Sequence, residues 1–67
     1  MFKKSFIRNI ETWLYIDTYS DIITEVPLKD VMKCIFNSKE EAMHWLYDNQ
    51  DNFKQKYIIV DEIILNI

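Results

Sequence analysis

Glycine is absent from this 67-residue sequence, and proline, cysteine and histidine occur once each, as Pro27, Cys34 and His44. Without glycine, the two glycine-based phosphate cradles, the P-loop and the dinucleotide fingerprint, are excluded. Turns that need φ > 0 then fall to Asn or Asp, whose short polar side chains tolerate it best. Tyr19-Ser20-Asp21, Asn37 and the Asp48 to Asn52 stretch are the candidates. One cysteine allows no disulfide within the chain and no cysteine-based zinc site, which takes two or more thiolates. A small domain without such staples points to a reducing compartment, or to an oligomer or complex that adds buried area. No apolar run approaches the roughly 18 residues of a membrane span. Arg8, Asn9 and Glu11 interrupt the apolar residues of the first segment, so no signal-peptide core forms there. A cytoplasmic protein with no membrane contact is the expectation.

Basic residues are also scarce, at eight against eleven acids, for a net charge of −3. Their placement matters more than their sum. Lys3, Lys4 and Arg8 give the first eight residues +3, so the rest of the chain, with five bases and eleven acids, carries −6. An acidic body behind a short basic lead argues against a nucleic-acid backbone as the main partner, because that needs clustered Lys and Arg. Residues with AT-rich codons (Ile, Lys, Asn, Tyr, Phe) dominate, whereas Ala, Arg and Pro appear once each. Such coding fits a low-GC bacterium, its phages or its plasmids.

What is abundant is apolar and aromatic: 49% of residues are hydrophobic and 15% aromatic, enough for a globular core in residues 1–67 as a single domain. One helix is well marked. Ser38 is a good N-cap, Glu41 follows three residues later as in a capping box, and Glu40 and Glu41 complement the positive end of the helix dipole. Ala42, Trp45, Leu46 and Asn49 trace one face, with Met43 and Tyr47 beside it, so a helix is expected over 39–50, closed by the polar run from Asp48 to Asn52.

Strand signals flank it. Thr12 to Asp17 and Ile22 to Val26, joined by Thr18 to Asp21, read as a hairpin, with Pro27 marking the end of the second strand or an edge. Val31 to Phe36, with Met32, Cys34 and Phe36 at period two, reads as a possible third strand. Tyr57 to Leu65 is a strong strand, apolar on both faces apart from Asp61-Glu62, which suits a central position or a buried edge. Phe2, Phe6 and Ile10 fit a helical face, but an extended lead into the first strand is the preferred reading. The fold class is therefore α+β: a small single-layer antiparallel or mixed sheet of three to four strands with one helix packed on it, in the order ββ(β)αβ.

Catalytic constellations are missing. Cys34 is expected on the core side and His44 on the outer side of the helix, so a Cys–His nucleophile pair does not form. Glu40-Glu41 is explained by helix electrostatics. Asp61-Glu62 calls for an edge position, a bulge, or pairing with a base such as Lys33, because adjacent strand residues point to opposite faces. No calcium-loop spacing occurs, and no cofactor or metal is expected. The surplus lies in the aromatics. Trp13 and Tyr15 share one strand face while Leu14 and Ile16 share the other, and Tyr and Trp are enriched at binding hot spots. Trp13, Tyr15, Asp17, Tyr19, Asp61 and Glu62 are the candidate partner-binding residues. The expected function is that of a non-enzymatic, acidic protein-binding module: an adaptor, regulator or inhibitor of a host enzyme, in the manner of phage and mobile-element anti-defence proteins. The alternative is a nucleic-acid-associated protein using Lys3, Lys4 and Arg8 with stacking aromatics. A homodimer through the long, proline-free C-terminal strand is possible under either reading.

Overall fold

In the computed structural model, residues 2–19, 22–49 and 56–64 are described. Strand β1 (Phe2–Asn9) leads into β2 (Tyr15–Tyr19) and β3 (Ile22–Val26), followed by a 3-10 turn (Leu28–Asp30), helix α1 (Lys39–Asn49) and β4 (Tyr57–Ile64). The strands form one antiparallel sheet in the order β3-β2-β1-β4. This is the small α+β fold expected; the opening segment, expected only as an extended lead, is itself its first strand. No helix among the described residues is long and apolar enough to cross a membrane. The turn at Ser20-Asp21, the polar stretch from Gln50 to Asn52, Phe53 and the tail from Leu65 lie outside the described residues.

The helix starts where its cap dictates. Ser38 Oγ accepts the Glu41 N–H at 3.2 Å, satisfying one of the donors that every helix N-terminus leaves open. Ala42 and Leu46 are buried and Trp45 is half-buried, whereas Met43 and Tyr47 face outward. Asn49 is exposed and its Nδ2 donates to the Trp45 carbonyl at 2.9 Å, which closes the described end of the helix.

The sheet buries both of its faces. Against α1 lie Ile7, Ile16, Cys34, Phe36 and Tyr57, with Ile23, Trp45 and Ile59 around them. On the other face, Phe6, Tyr15 and Val31 form a second cluster, joined by Val26, Leu28 and Val60. Phe6 meets Tyr15 edge-on, with ring centres 5.8 Å apart. The 3-10 turn and the chain after it cover that face, which explains why β4 is apolar on both sides without being central: it stands at the edge of the sheet.

Three expectations are corrected. Val31 to Phe36 is not a strand; it makes one bridge, between Phe36 and Ser5, whose backbone bonds of 2.8 and 2.9 Å occupy the side of β1 that β2 leaves open. Met32 is 76% exposed, while Val31, Cys34 and Phe36 are buried, so period two fails there. Trp13 is not in the hairpin strand and shares no strand face with Tyr15, because β2 begins at Tyr15. The residue with φ > 0 among those described is neither Asn nor Asp but Trp13, at φ 66°.

Candidate partner-binding surface

The chain turns from β1 into β2 through a single helical turn held by Asn9. The Asn9 Oδ1 accepts the N–H groups of Glu11 and Thr12 at 2.7 and 3.2 Å. The Asn9 carbonyl accepts the Trp13 N–H at 2.9 Å, and the Asn9 N–H donates to Leu14 at 2.8 Å. A bond from residue i+4 back to residue i, with the last residue left-handed, is the usual helix-ending motif in which glycine stands. Here the position is filled by Trp13. A left-handed conformation costs an L-residue with a side chain about 1–2 kcal/mol, and a bulky aromatic in it is an outlier. Trp13 is 66% exposed. The Arg8 guanidinium lies over the ring, 4.4 Å from its centre. Arg8 Nε is buried without a hydrogen-bond partner, and the guanidinium also lies within reach of the Tyr15 hydroxyl. Ile10, also exposed, sits beside Trp13 in the same turn.

The turn is tied to β3 by Glu25. This carboxylate accepts bonds from Asn9 Nδ2 at 3.2 and 3.3 Å, from Thr12 Oγ1 at 3.2 Å and from the Tyr57 hydroxyl. No sequence signal marks it: a glutamate two residues before Pro27 reads as an ordinary strand charge. Burial, reinforced by the bond to Glu25, pushes the Tyr57 hydroxyl up to about 12. A group whose pKa is raised on folding stabilises the fold fully below its unfolded pKa, and that contribution is lost as pH rises toward the folded value. Stability is therefore expected to fall between about pH 10 and 12, by up to about 2 kcal/mol. Urea titrations at both ends of that window check this, and the drop should shrink in Tyr57→Phe. Tyr15 is raised for the same reasons, burial first and then its bond to Glu62, and contributes in the same direction.

The other candidate residues are placed as follows. Tyr15 and Asp17 are buried and hold the fold, so their side chains do not face solvent. Tyr15 donates its hydroxyl to Glu62. Asp17 accepts backbone N–H bonds from Met32 (3.1 Å), Lys33 (2.8 Å) and Cys34 (3.1 Å). Tyr19 ends β2, and its side chain is outside the described part. Asp61 and Glu62 point to opposite faces, and the unbroken register Ser5↔Asp61, Lys4↔Glu62 leaves no bulge between them. Asp61 pairs not with Lys33 but with Lys3 at 3.6 Å and Lys39 at 3.8 Å, and accepts the Ser5 hydroxyl at 2.7 Å. The Ser5 bond, followed by the two lysines, holds its carboxyl below the usual range despite some desolvation. The structure thus gathers Tyr15 with Glu62, leaves Asp61 on the helix side of the sheet, and sets Arg8 beside both the Trp13 ring and the Tyr15 hydroxyl.

Cys34 is in the core, where burial pushes its thiol up, while His44 is on the exposed side of α1 in a shallow hollow with Glu40, Met43 and Tyr47. No group of three metal-ligating side chains occurs among the described residues. A cleft of about 280 Å³ lined by Phe6, Leu28, Lys29, Val31, Ile35 and Ile63 lies beside the second cluster, slightly below the roughly 300 Å³ where small-molecule pockets begin. No protein-family model matches the chain, and neither does any curated protein or any solved structure.

Proposed function

We propose that this chain is a small acidic protein-binding module, an adaptor, regulator or inhibitor without catalysis of its own, acting in the cytoplasm of a bacterial or phage-infected cell, and that Trp13 anchors its contact surface. The observation that carries this reading is Trp13 itself: a large aromatic held in a left-handed conformation that costs free energy, with its ring in solvent. Strain of that kind persists where the surroundings over-determine it, and it concentrates at functional positions. The surroundings here are the Asn9 turn, the Glu25 tie and the Arg8 guanidinium. Tryptophan and arginine are the residue types most enriched at binding hot spots, and the two are stacked here. Ile10 extends the apolar tip, and the acidic body favours a partner with basic surface around an apolar pocket.

The nucleic-acid alternative draws on Lys3, Lys4 and Arg8. These are not a free basic arm. They sit on β1 in the middle of the sheet, with Lys3 on Asp61, Lys4 on Asn37 at 2.5 Å and Arg8 on Trp13. Affinity capture with the tagged chain from a native host lysate tests the proposal. One cellular protein should be retained stoichiometrically by the wild type and lost with Trp13→Ala. Capture of nothing above background, or salt-sensitive quenching of Trp13 by oligonucleotides without any protein partner, would refute it.

A further inference from the structure

Strand β4 is at the edge of the sheet, and its outer side is unused among the described residues. Which backbone groups it offers follows from the ladder. Ser5 exchanges backbone bonds with Phe36, on the side of β1 away from β4. Its ladder partner Asp61 is therefore a residue whose own N–H and C=O point away from β1, and by alternation the same holds for Ile59 and Ile63. An edge of this kind is a template for another strand. Edge charges normally prevent that, but the Asp61 carboxylate is drawn toward Lys3 and Lys39 of its own chain.

We propose that this edge takes a second copy of the chain, β4 against β4 and antiparallel, with the two-fold axis passing through Ile59. The register is selected by bonding and charge. Outward-pointing residues must meet outward-pointing residues, so the axis passes through a residue and not between two. Centred on Asp61, the two Asp61 carboxylates face each other, which is unfavourable. Centred on Val60, Glu62 faces Ile58 and loses water without a base from the second copy. Centred on Ile58, only residues 57 to 59 of each strand overlap. Centred on Ile59, Ile59 meets its own copy and exchanges two N–H···O bonds, Ile58 meets Val60, and Glu62 meets Lys56 of the second copy, twice by symmetry.

The faces agree. The alternation continuing from Ile58 puts Lys56 on the Glu62 side of the sheet. Ile58 is exposed and Val60 half-buried in the single chain, so the pairing also covers apolar surface. Glu62 uses Oε2 for Tyr15, which leaves its other oxygen for Lys56. The result is one continuous eight-stranded sheet with both helices on the same face.

This dimer stands or falls separately from the partner-binding reading, which concerns the turn at Trp13. Sedimentation equilibrium of the full chain across the micromolar range should show a monomer–dimer equilibrium. Lys56 is exposed, so Lys56→Glu should fold normally while raising the dimer dissociation constant about tenfold or more, because two attractive pairs become repulsive. Zero-length carbodiimide crosslinking of mixed isotopically light and heavy wild-type chains should join Lys56 of one copy to Glu62 of the other. A monomer throughout, an open-ended assembly, a dimer indifferent to Lys56→Glu, or a dimer without that crosslink would each overturn the proposal.

Discussion

Replacing Asp17 with alanine is expected to destabilise the fold by about 3–4 kcal/mol. The carboxylate is 5% exposed and accepts three successive backbone N–H groups, from Met32, Lys33 and Cys34. Bonds to a charged acceptor each contribute about 1.5–3 kcal/mol, and a buried donor left without a partner loses about 1–3. Met32 and Lys33 are exposed, so water recovers part of the loss there; Cys34 is buried and recovers little. A chain of this length has a total stability of roughly 3–10 kcal/mol, so a large fraction of the variant should be unfolded. Asp17→Asn keeps one acceptor oxygen without charge and should lose about half as much. Urea midpoints measure both, and faster amide exchange at residues 32–34 localises the effect. A change below about 1 kcal/mol in Asp17→Ala would mean that water already satisfies these amides.

The same carboxylate sets the acid limit. Burial pushes the Asp17 carboxyl up, but the backbone N–H groups of Lys33, Cys34, Met32 and Thr18 outweigh it and hold the pKa below its usual value. A depressed pKa contributes stability that is present above the unfolded value, about 3.9, and is lost as pH falls through the folded one. Asp61 adds to the loss in the same window. In Asp17→Ala the acid dependence should be shallower.

Phe6→Ala should cost at least as much, about 3–5 kcal/mol. Phe6 is 1% exposed and lies at the centre of the cluster on the face away from the helix, edge-on to Tyr15. Truncating it opens a cavity that Val31 and Leu28, held on a turn, cannot close. It also removes the wall against which Tyr15 stands while donating to Glu62. Ile22→Ala, on an exposed residue of β3 away from the β4 edge, is the control and should change stability by about 0.5 kcal/mol. Chemical denaturation of the pair compares them directly. Similar small losses in both would mean that this face is a loose surface and not a second core.

These two residues also show where reading the sequence reached and where it stopped. The helix was legible because its cap, Ser38, and its apolar positions, Ala42 and Leu46, are local signals. The β2–β3 hairpin and β4 are legible from their β-branched and aromatic runs, whereas β1 reads only as an extended lead, because Phe2, Phe6 and Ile10 fit a helical face as well. Val31 to Phe36 carries the composition of a strand but does not form one. Three consecutive N–H groups converge on Asp17, and consecutive N–H groups of an extended strand point to alternate sides, so the carboxylate curls the segment out of β geometry. That constraint comes from a residue 15 to 17 positions away and leaves no local mark. Trp13 was misplaced for the opposite reason. Thr12-Trp13-Leu14-Tyr15-Ile16 is made of β-formers, and the signal that usually locates a left-handed residue, a Gly or Asn, is missing from it. The side-chain chemistry of Tyr15, Asp17, Asp61 and Glu62 suits a contact surface, but the structure occupies each of them with an internal partner.

The central claim is that Trp13 is retained for contact, at the expense of the backbone. Trp13→Gly tests it most directly. Glycine relieves a left-handed strain of about 1–2 kcal/mol, and loses the Arg8 contact, about 0.5–1 kcal/mol, and some unfolded-state entropy. Stability should therefore stay within about 1 kcal/mol of the wild type. Affinity for the captured partner should fall at least about 30-fold, as for a hot-spot residue. A glycine variant that binds its partner as tightly as the wild type would contradict the account, and so would one whose binding is lost only because it no longer folds.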